Sequence, residues 1–113
     1  MTEIWHNPRC SKSRQTLALL EARGEDVTVR RYLDDAPDEA ALRAVLTALG
    51  VSPIGMMRKG EVLFKELGLS KDTPADDLIA AMVTHPKLIE RPIVIKDGKA
   101  RIGRPPESVI DIL

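Results

Sequence analysis

The chain contains one cysteine, Cys10, and the residues around it favour a reactive thiolate. Between residues 4 and 20 there are three cations, Arg9, Lys12 and Arg14, and no acidic side chain. Lowering a thiol pKa from ~8.5 to ~7 takes about 2 kcal/mol, and one cation about 4 Å away contributes up to ~4 kcal/mol. We therefore predict that Cys10 is a nucleophile whose pKa lies at least about one unit below that of a free thiol.

A single cysteine also excludes several kinds of site. Neither an internal disulfide nor a multi-cysteine zinc site can form, and we expect no bound metal. A phosphatase loop needs arginine six places after its cysteine, where this chain has Thr16. Gly55 to Gly60 has the glycine spacing of a phosphate-binding loop, but Glu61 follows instead of lysine. The alternative for Cys10 is an inert core thiol, which its polar surroundings disfavour.

The composition is that of one folded domain. The chain has 113 residues, of which 43% are apolar, and 17 basic side chains balance 17 acidic ones. A net charge of zero argues against a general nucleic-acid binder. We expect no signal peptide, and no apolar run reaches the roughly 18 residues that span a membrane. We expect a cytoplasmic monomer of one domain, 1–113.

The first third of the chain predicts a βαβ unit that positions the thiol. A strand is expected at Thr2–His6 and a second at Val27–Tyr32. Between them, a helix is expected from about Cys10 or Ser11 to Arg23, with Leu17, Ala18 and Leu20 on its apolar face. Free backbone N–H groups and the positive end of the helix dipole then lie beside the sulfur of Cys10.

The rest of the chain predicts a helical insert at about 36–86 and then a ββα unit. Asp97-Gly98 separates two strand-like runs, Ile93–Lys96 and Lys99–Ile102, which indicates a hairpin. A final helix is expected from about Pro106, with Val109, Ile110 and Leu113 on one side. The sum is an α/β chain with a mixed four-stranded sheet, which is the layout of the thioredoxin-like fold. By analogy with that fold we predict that Pro92 is cis and lies beside the thiol.

Three further arginines stand out by their context. Arg58 follows an apolar run, Arg91 precedes Pro92, and Arg104 lies after the last predicted strand. Composition alone assigns them no role beyond that of solvated surface charges.

The sequence around the cysteine resembles the active-site signature of the glutaredoxin-coupled arsenate reductase family. That signature is His-Asn-Pro-x-Cys-x-x-Ser-Arg, and residues 6–14 match it. Further segments recur in the family's order and spacing: Tyr32-Leu33, Met57-Arg58-Lys59, Glu66-Leu67-Gly68-Leu69, His85-Pro86, Arg91-Pro92-Ile93-Val94 and Arg104-Pro105. Trp5 replaces the usual tyrosine. Fuller members continue beyond the position of Leu113, and we expect this chain to belong to a short-chain branch.

The resemblance implies reduction of arsenate to arsenite, as in arsenical resistance, with no bound cofactor. It implies that the thiolate of Cys10 attacks arsenic and that Arg58, Arg91 and Arg104 hold the oxyanion. It also implies that His6 helps to lower the thiol pKa, with Ser13 and Arg14 as signature positions; Arg14 would have a supporting, electrostatic role. Because no second cysteine is present, glutathione and glutaredoxin are expected as external reductants.

Two alternatives remain open at this point. Related members of the superfamily bind RNA polymerase as redox-sensing regulators, but those usually carry Cys-x-x-Cys, and Ser13 occupies the second position here. A monothiol thioltransferase acting on glutathionylated proteins would also use a single cysteine. That enzyme needs a glutathione groove rather than three arginines around an oxyanion.

Overall fold

A computed structural model describes residues 1–113. The chain divides into two compact units: Met1–Asp35 together with Arg91–Leu113, and Ala36–Glu90. The expectation of one domain with an insert at about 36–86 stays a prediction.

The first unit is built on a four-stranded mixed sheet in the order β2-β1-β3-β4. The strands are β1 (Thr2–Trp5), β2 (Val27–Arg30), β3 (Ile93–Lys96) and β4 (Lys99–Ile102). Strand β1 pairs in parallel with β2 and antiparallel with β3, and β3 pairs antiparallel with β4. This confirms the predicted mixed sheet of four strands, although β1 and β2 end one and two residues earlier than expected.

The β3–β4 hairpin forms where Asp97-Gly98 predicts it. Lys96 pairs with Lys99, so the turn contains only two residues. Asp97 has a φ of 51° and Gly98 a φ of 78°. Positive φ at both central positions is the geometry of the two-residue turn that suits the twist of paired strands, and it explains the Asp-Gly sequence.

Helix α1 (Ser11–Ala22) crosses from β1 to β2 and buries a more polar face than predicted. Its buried residues are Ser13, Thr16 and Leu20, whereas Ala18 is exposed and Leu17 only partly buried. The prediction for Ala18 was wrong because the buried face of α1 contains the polar residues Ser13 and Thr16, and Ala18 lies outside that face. Leu20 joins a core cluster with Ile4, Val94, Val109 and Ile112.

The C-terminal segment is a 3₁₀ helix, Pro106–Ile112, rather than the predicted α-helix. In a 3₁₀ helix residues i and i+3 lie on one side, and here Val109 and Ile112 are buried. Ile110, which an α-helical repeat would bury, is exposed. The prediction failed because the apolar residues after Pro105-Pro106 fit either helical spacing.

The second unit is helical. It contains α2 (Glu39–Leu49), α3 (Val62–Glu66), α4 (Ala75–Thr84) and two short 3₁₀ helices, Pro53–Met56 and Pro86–Leu88. Asp38 is the N-cap of α2, where its carboxylate accepts a hydrogen bond from the Ala41 N–H, and Gly50, with a φ of 71°, is the C-cap. No helix of either unit is long and apolar enough to cross a membrane.

Candidate active site

Cys10 lies between β1 and α1, at the end of a loop held by its own backbone. It is the N-cap residue of α1, with extended φ and ψ of −96° and 123°. The Cys10 N–H donates to the Asn7 carbonyl at 3.0 Å, and the Asn7 side-chain oxygen accepts from the Arg9 N–H at 3.0 Å. The Cys10 carbonyl accepts from the Arg14 N–H. The side chain, which is partly buried, is thereby held at the first turn of the helix.

The surroundings of Cys10 stabilise the thiolate. Burial is the largest single influence and raises the pKa of the thiol. The backbone N–H of Ser13, the charge of Arg91, the backbone N–H of Lys12 and the Arg104 side chain together lower the pKa by more. The net result is a Cys10 pKa below its ordinary value, as predicted in direction. The expected size, at least about one unit, stays a prediction.

Two of the three predicted arginines act on this sulfur. The Arg104 Nη1 lies 3.8 Å from the Cys10 Sγ, although the two residues are 94 positions apart. The same nitrogen donates to the Arg91 carbonyl at 3.3 Å. Arg91 and Arg104 each precede a cis proline, Pro92 and Pro105, so the cis bond predicted at Pro92 is present and the one at Pro105 was missed.

Arg58, the third predicted arginine, belongs to the second unit. Its N–H donates to the Leu88 carbonyl at 2.8 Å, and its guanidinium forms an ion pair with Glu61 at 3.3 Å. Its expected part in holding an oxyanion stays a prediction.

His6 and Ser13 form a buried hydrogen-bonded pair. The His6 Nδ1 lies 2.7 Å from the Ser13 hydroxyl, which also accepts a bond from the Asn7 N–H at 3.0 Å. Burial lowers the pKa of His6, and the charges of Arg31 and Arg14 lower it further. A neutral ring accepts at Nδ1 the proton that the serine hydroxyl donates, an assignment that follows from the bonding partners. The lowered pKa favours the neutral ring of His6, and its expected part in lowering the thiol pKa stays a prediction.

Arg14 makes a structural hydrogen bond and also affects the pKa of a neighbouring side chain. Its Nη1 donates to the Pro8 carbonyl at 2.9 Å, which ties the first turn of α1 back to the loop before Cys10. It is also one of the charges that keep His6 neutral. The predicted electrostatic support of the Cys10 thiolate by Arg14 stays a prediction.

Gly103 is a positioning residue that sequence reasoning missed. It is buried, and a Cβ at this position would lie 2.6 Å from the Thr16 Oγ1 and 2.8 Å from the Pro92 Cγ. Only glycine fits this contact without a shift of α1 or of the proline, and the contact fixes the start of the segment that carries Arg104. A glycine before an arginine carries no such signal in the sequence alone.

The sequence and the fold both match known proteins. The sequence model of the ArsC family matches residues 5–112. The chain belongs to the ArsC family. An arsenate reductase of Neisseria meningitidis serogroup A is 49% identical, with 98% of this chain and 97% of that protein covered. The uncharacterized protein YfgD of Escherichia coli K12 is 52% identical, with 98% and 95% covered.

A solved structure extends the match to three dimensions. It is described as an arsenate reductase from Vibrio cholerae, and it superposes with a TM-score of 0.96 at 51% identity, covering 99% of this chain and 97% of that one. The thioredoxin-like fold predicted from the element order, with a helical insert between β2 and β3, is thereby confirmed. In this ArsC-family chain two arginines, Arg91 and Arg104, lower the pKa of one thiol, an arrangement that suits attack on an anion.

Proposed function

We propose that this chain reduces arsenate to arsenite in the cytoplasm, with Cys10 as the nucleophile and with glutathione and glutaredoxin as external reductants. The observation that carries the proposal is the 3.8 Å approach of the Arg104 guanidinium to the Cys10 sulfur. A guanidinium beside a thiolate lowers the thiol pKa and also attracts an anion that the thiolate alone would repel.

The first step is attack on arsenic. The Cys10 thiolate forms a bond to the arsenic of HAsO₄²⁻, and one oxygen leaves as water after taking up two protons. The product is a thiol ester of arsenic acid, Cys10–S–AsO₃H⁻, in which arsenic is still pentavalent. Arg91 and Arg104 neutralise charge on the remaining oxygens, and Arg58 is proposed as a third such group.

The second step reduces the arsenic. Glutathione attacks the Cys10 sulfur, the sulfur–arsenic bond breaks, and its electron pair stays on arsenic. With the thiol proton and one more proton, arsenite leaves as As(OH)₃, and Cys10 is left in a mixed disulfide with glutathione. Glutaredoxin then takes over the glutathionyl group and releases the Cys10 thiolate. The single cysteine of the chain supports this need for outside thiols.

The test is an arsenate-reduction assay with glutathione and glutaredoxin. We expect Cys10→Ser to lose at least about 10³-fold in rate, because the nucleophile is removed. Arg91→Ala and Arg104→Ala should each lose about 10²–10³-fold, as for other groups that stabilise transition-state charge. Arg58→Ala tests the third position in the same way.

The matched control is Arg101→Ala. Arg101 lies in β4, pairs with Asp111 at 3.8 Å, and does not contribute to the lowered pKa of Cys10. Its rate should stay near that of the wild type. Arsenate reduction without any added thiol would contradict the proposal, and so would full activity of Cys10→Ser. Activity toward glutathionylated proteins but not arsenate would favour the thioltransferase.

A further inference from the structure

A cavity opens beside the loop that carries Cys10, on the side of β2. Its volume is about 410 Å³, within the range of about 300–1,000 Å³ that small-molecule sites occupy. It is lined by His6, Asn7, Pro8, Arg9, Arg31, Leu33 and Asp34. These residues follow the carboxyl ends of the parallel strands β1 and β2, where open α/β sheets commonly bind ligands.

The charged side chains of this cavity have no partners of their own. Neither Arg9, Arg31 nor Asp34 forms an ion pair, whereas the neighbouring Arg30 pairs with Asp35 at 3.4 Å. The cavity thus presents two guanidiniums, one carboxylate and the exposed apolar side chain of Leu33. This set matches a small zwitterionic peptide with two carboxylates and one ammonium group.

We propose that this cavity binds the γ-glutamyl tripeptide thiol, glutathione, that reduces the arsenic adduct on Cys10. Arg9 and Arg31 bind its two carboxylates, Asp34 binds its ammonium group, and Leu33 and Pro8 pack against its backbone. The inference rests on the proposed function, because it names the site from which the second substrate of that reaction acts.

The sheet order places this cavity opposite the arginines. Cys10 follows β1, the cavity lies toward β2, and Arg91 and Arg104 flank β3 and β4 on the other side of β1. Cys10 directly follows Arg9, which lines the cavity, so a thiol of the bound peptide is proposed to approach the sulfur from this side while the arginines hold the arsenic. Thiol attack on sulfur proceeds in line with the departing group, which this placement would allow. The glutathione sulfur forms the new bond, and the electron pair of the broken bond leaves with arsenic, reducing it from pentavalent to trivalent.

Binding can be tested without catalysis. S-methylglutathione cannot react as a thiol, and its binding can be followed by calorimetry and by the fluorescence of Trp5, the only tryptophan, which directly precedes His6. We expect the wild type to bind it and Arg31→Gln and Arg9→Gln each to bind it about tenfold more weakly, as for the loss of one charge-assisted contact. The control Arg23→Gln, an exposed arginine outside the cavity, should bind like the wild type.

Catalysis then supplies an independent measurement. In Arg31→Gln the KM for glutathione should rise about tenfold while the KM for arsenate stays unchanged. With 2-mercaptoethanol, which has no carboxylates, wild type and Arg31→Gln should react alike. Equal KM values for glutathione in the two proteins would overturn the inference while leaving arsenate reduction intact. If the wild type reduces no arsenate with any thiol, the proposed function is overturned instead. The binding experiment with S-methylglutathione would still decide for or against the cavity.

Discussion

The two units of the chain bury different kinds of residue. All four buried polar residues, Thr2, His6, Ser13 and Thr16, lie in the first unit. The buried residues of the second unit are all apolar, among them Leu42, Met56 and Leu88. A buried polar group is destabilising unless it is hydrogen-bonded, so its presence needs a reason beyond packing. In the first unit that reason is the position of one sulfur.

The comparison also separates two uses of hydrogen bonding. Ser13 is fully buried, and its hydroxyl and backbone N–H serve different partners: the hydroxyl bonds His6 and Asn7, and the N–H lowers the pKa of Cys10. The second unit has no such buried pair, and its polar side chains bond at the surface or at helix ends, as Asp38 does. Variants in the two units should therefore fail in different ways.

Leu42→Ala should cause the largest loss of stability. Leu42 is fully buried in α2, and removing a core leucine side chain lowers the free energy of unfolding by about 2–5 kcal/mol. Urea denaturation measures this loss. The pH midpoint of Cys10 alkylation should not move, because every group that shifts that pKa lies in the first unit. A shift of this midpoint would show that a core substitution in the second unit also changes the pKa of Cys10.

Ser13→Ala should cause the next largest loss of stability. It leaves the Asn7 N–H and the buried His6 Nδ1 without their partner, which reduces the free energy of unfolding by about 1–3 kcal/mol. Ser11→Ala, two residues earlier in the same helix and exposed, is the control and should be close to neutral. Equal denaturation midpoints for the two variants would mean that the buried hydroxyl contributes nothing to folding.

Sequence reasoning reached the parts of this site that depend on local chemistry. The strand–helix junction at Cys10, the cations around it and the Asp-Gly hairpin all follow from short segments. The resemblance added Arg91 and Arg104, which composition alone treated as surface charges. That they meet one sulfur depends on the strand order β2-β1-β3-β4, which no short segment encodes.

The residues that sequence reasoning missed depend on close contacts. Gly103 must be glycine because a Cβ there would collide with Thr16 and Pro92. The buried face of α1 is polar, so hydrophobic periodicity does not predict it. The cavity residue Arg31 lies just beyond β2 and reads as an ordinary surface charge. Such features appear only when distant segments are brought together.

The pH dependence of stability tests the lowered pKa of His6. The folded protein holds the pKa of His6 below its ordinary value, so the unfolded chain binds the proton more tightly. Stability should then be lost as the pH falls from about 6.5 toward the folded-state pKa, since protons favour the unfolded state in that window. His6→Asn, whose amide can replace Nδ1 as partner of Ser13, should show a weaker dependence below about pH 6.5. An unchanged slope in this variant would assign the dependence to other groups.

Among side chains, Arg91 and Arg104 should have the clearest effect on the pKa of Cys10. Arg91→Ala and Arg104→Ala should each raise the pH midpoint of iodoacetamide alkylation, because each removes a group that lowers the pKa of Cys10. Arg101→Ala, whose guanidinium pairs with Asp111 instead, should leave the midpoint in place. If all three variants alkylate with the same midpoint, the helix end rather than the arginines holds the thiolate.

Arg43→Ala should have the smallest effect, although Arg43 pairs with two carboxylates. It lies 2.9 Å from both Glu39 and Asp76, and its side chain is 48% exposed. Hydrogen bonds to Asp76 and Glu39 raise the pKa of Arg43, but a guanidinium is charged at every pH of interest, so this shift changes no titration. Water and salt screen exposed pairs, so the small decrease in melting temperature should vanish at about 1 M salt. A decrease as large as that of Leu42→Ala, or one that persists in salt, would show that a surface pair stabilises the second unit as strongly as its apolar core does.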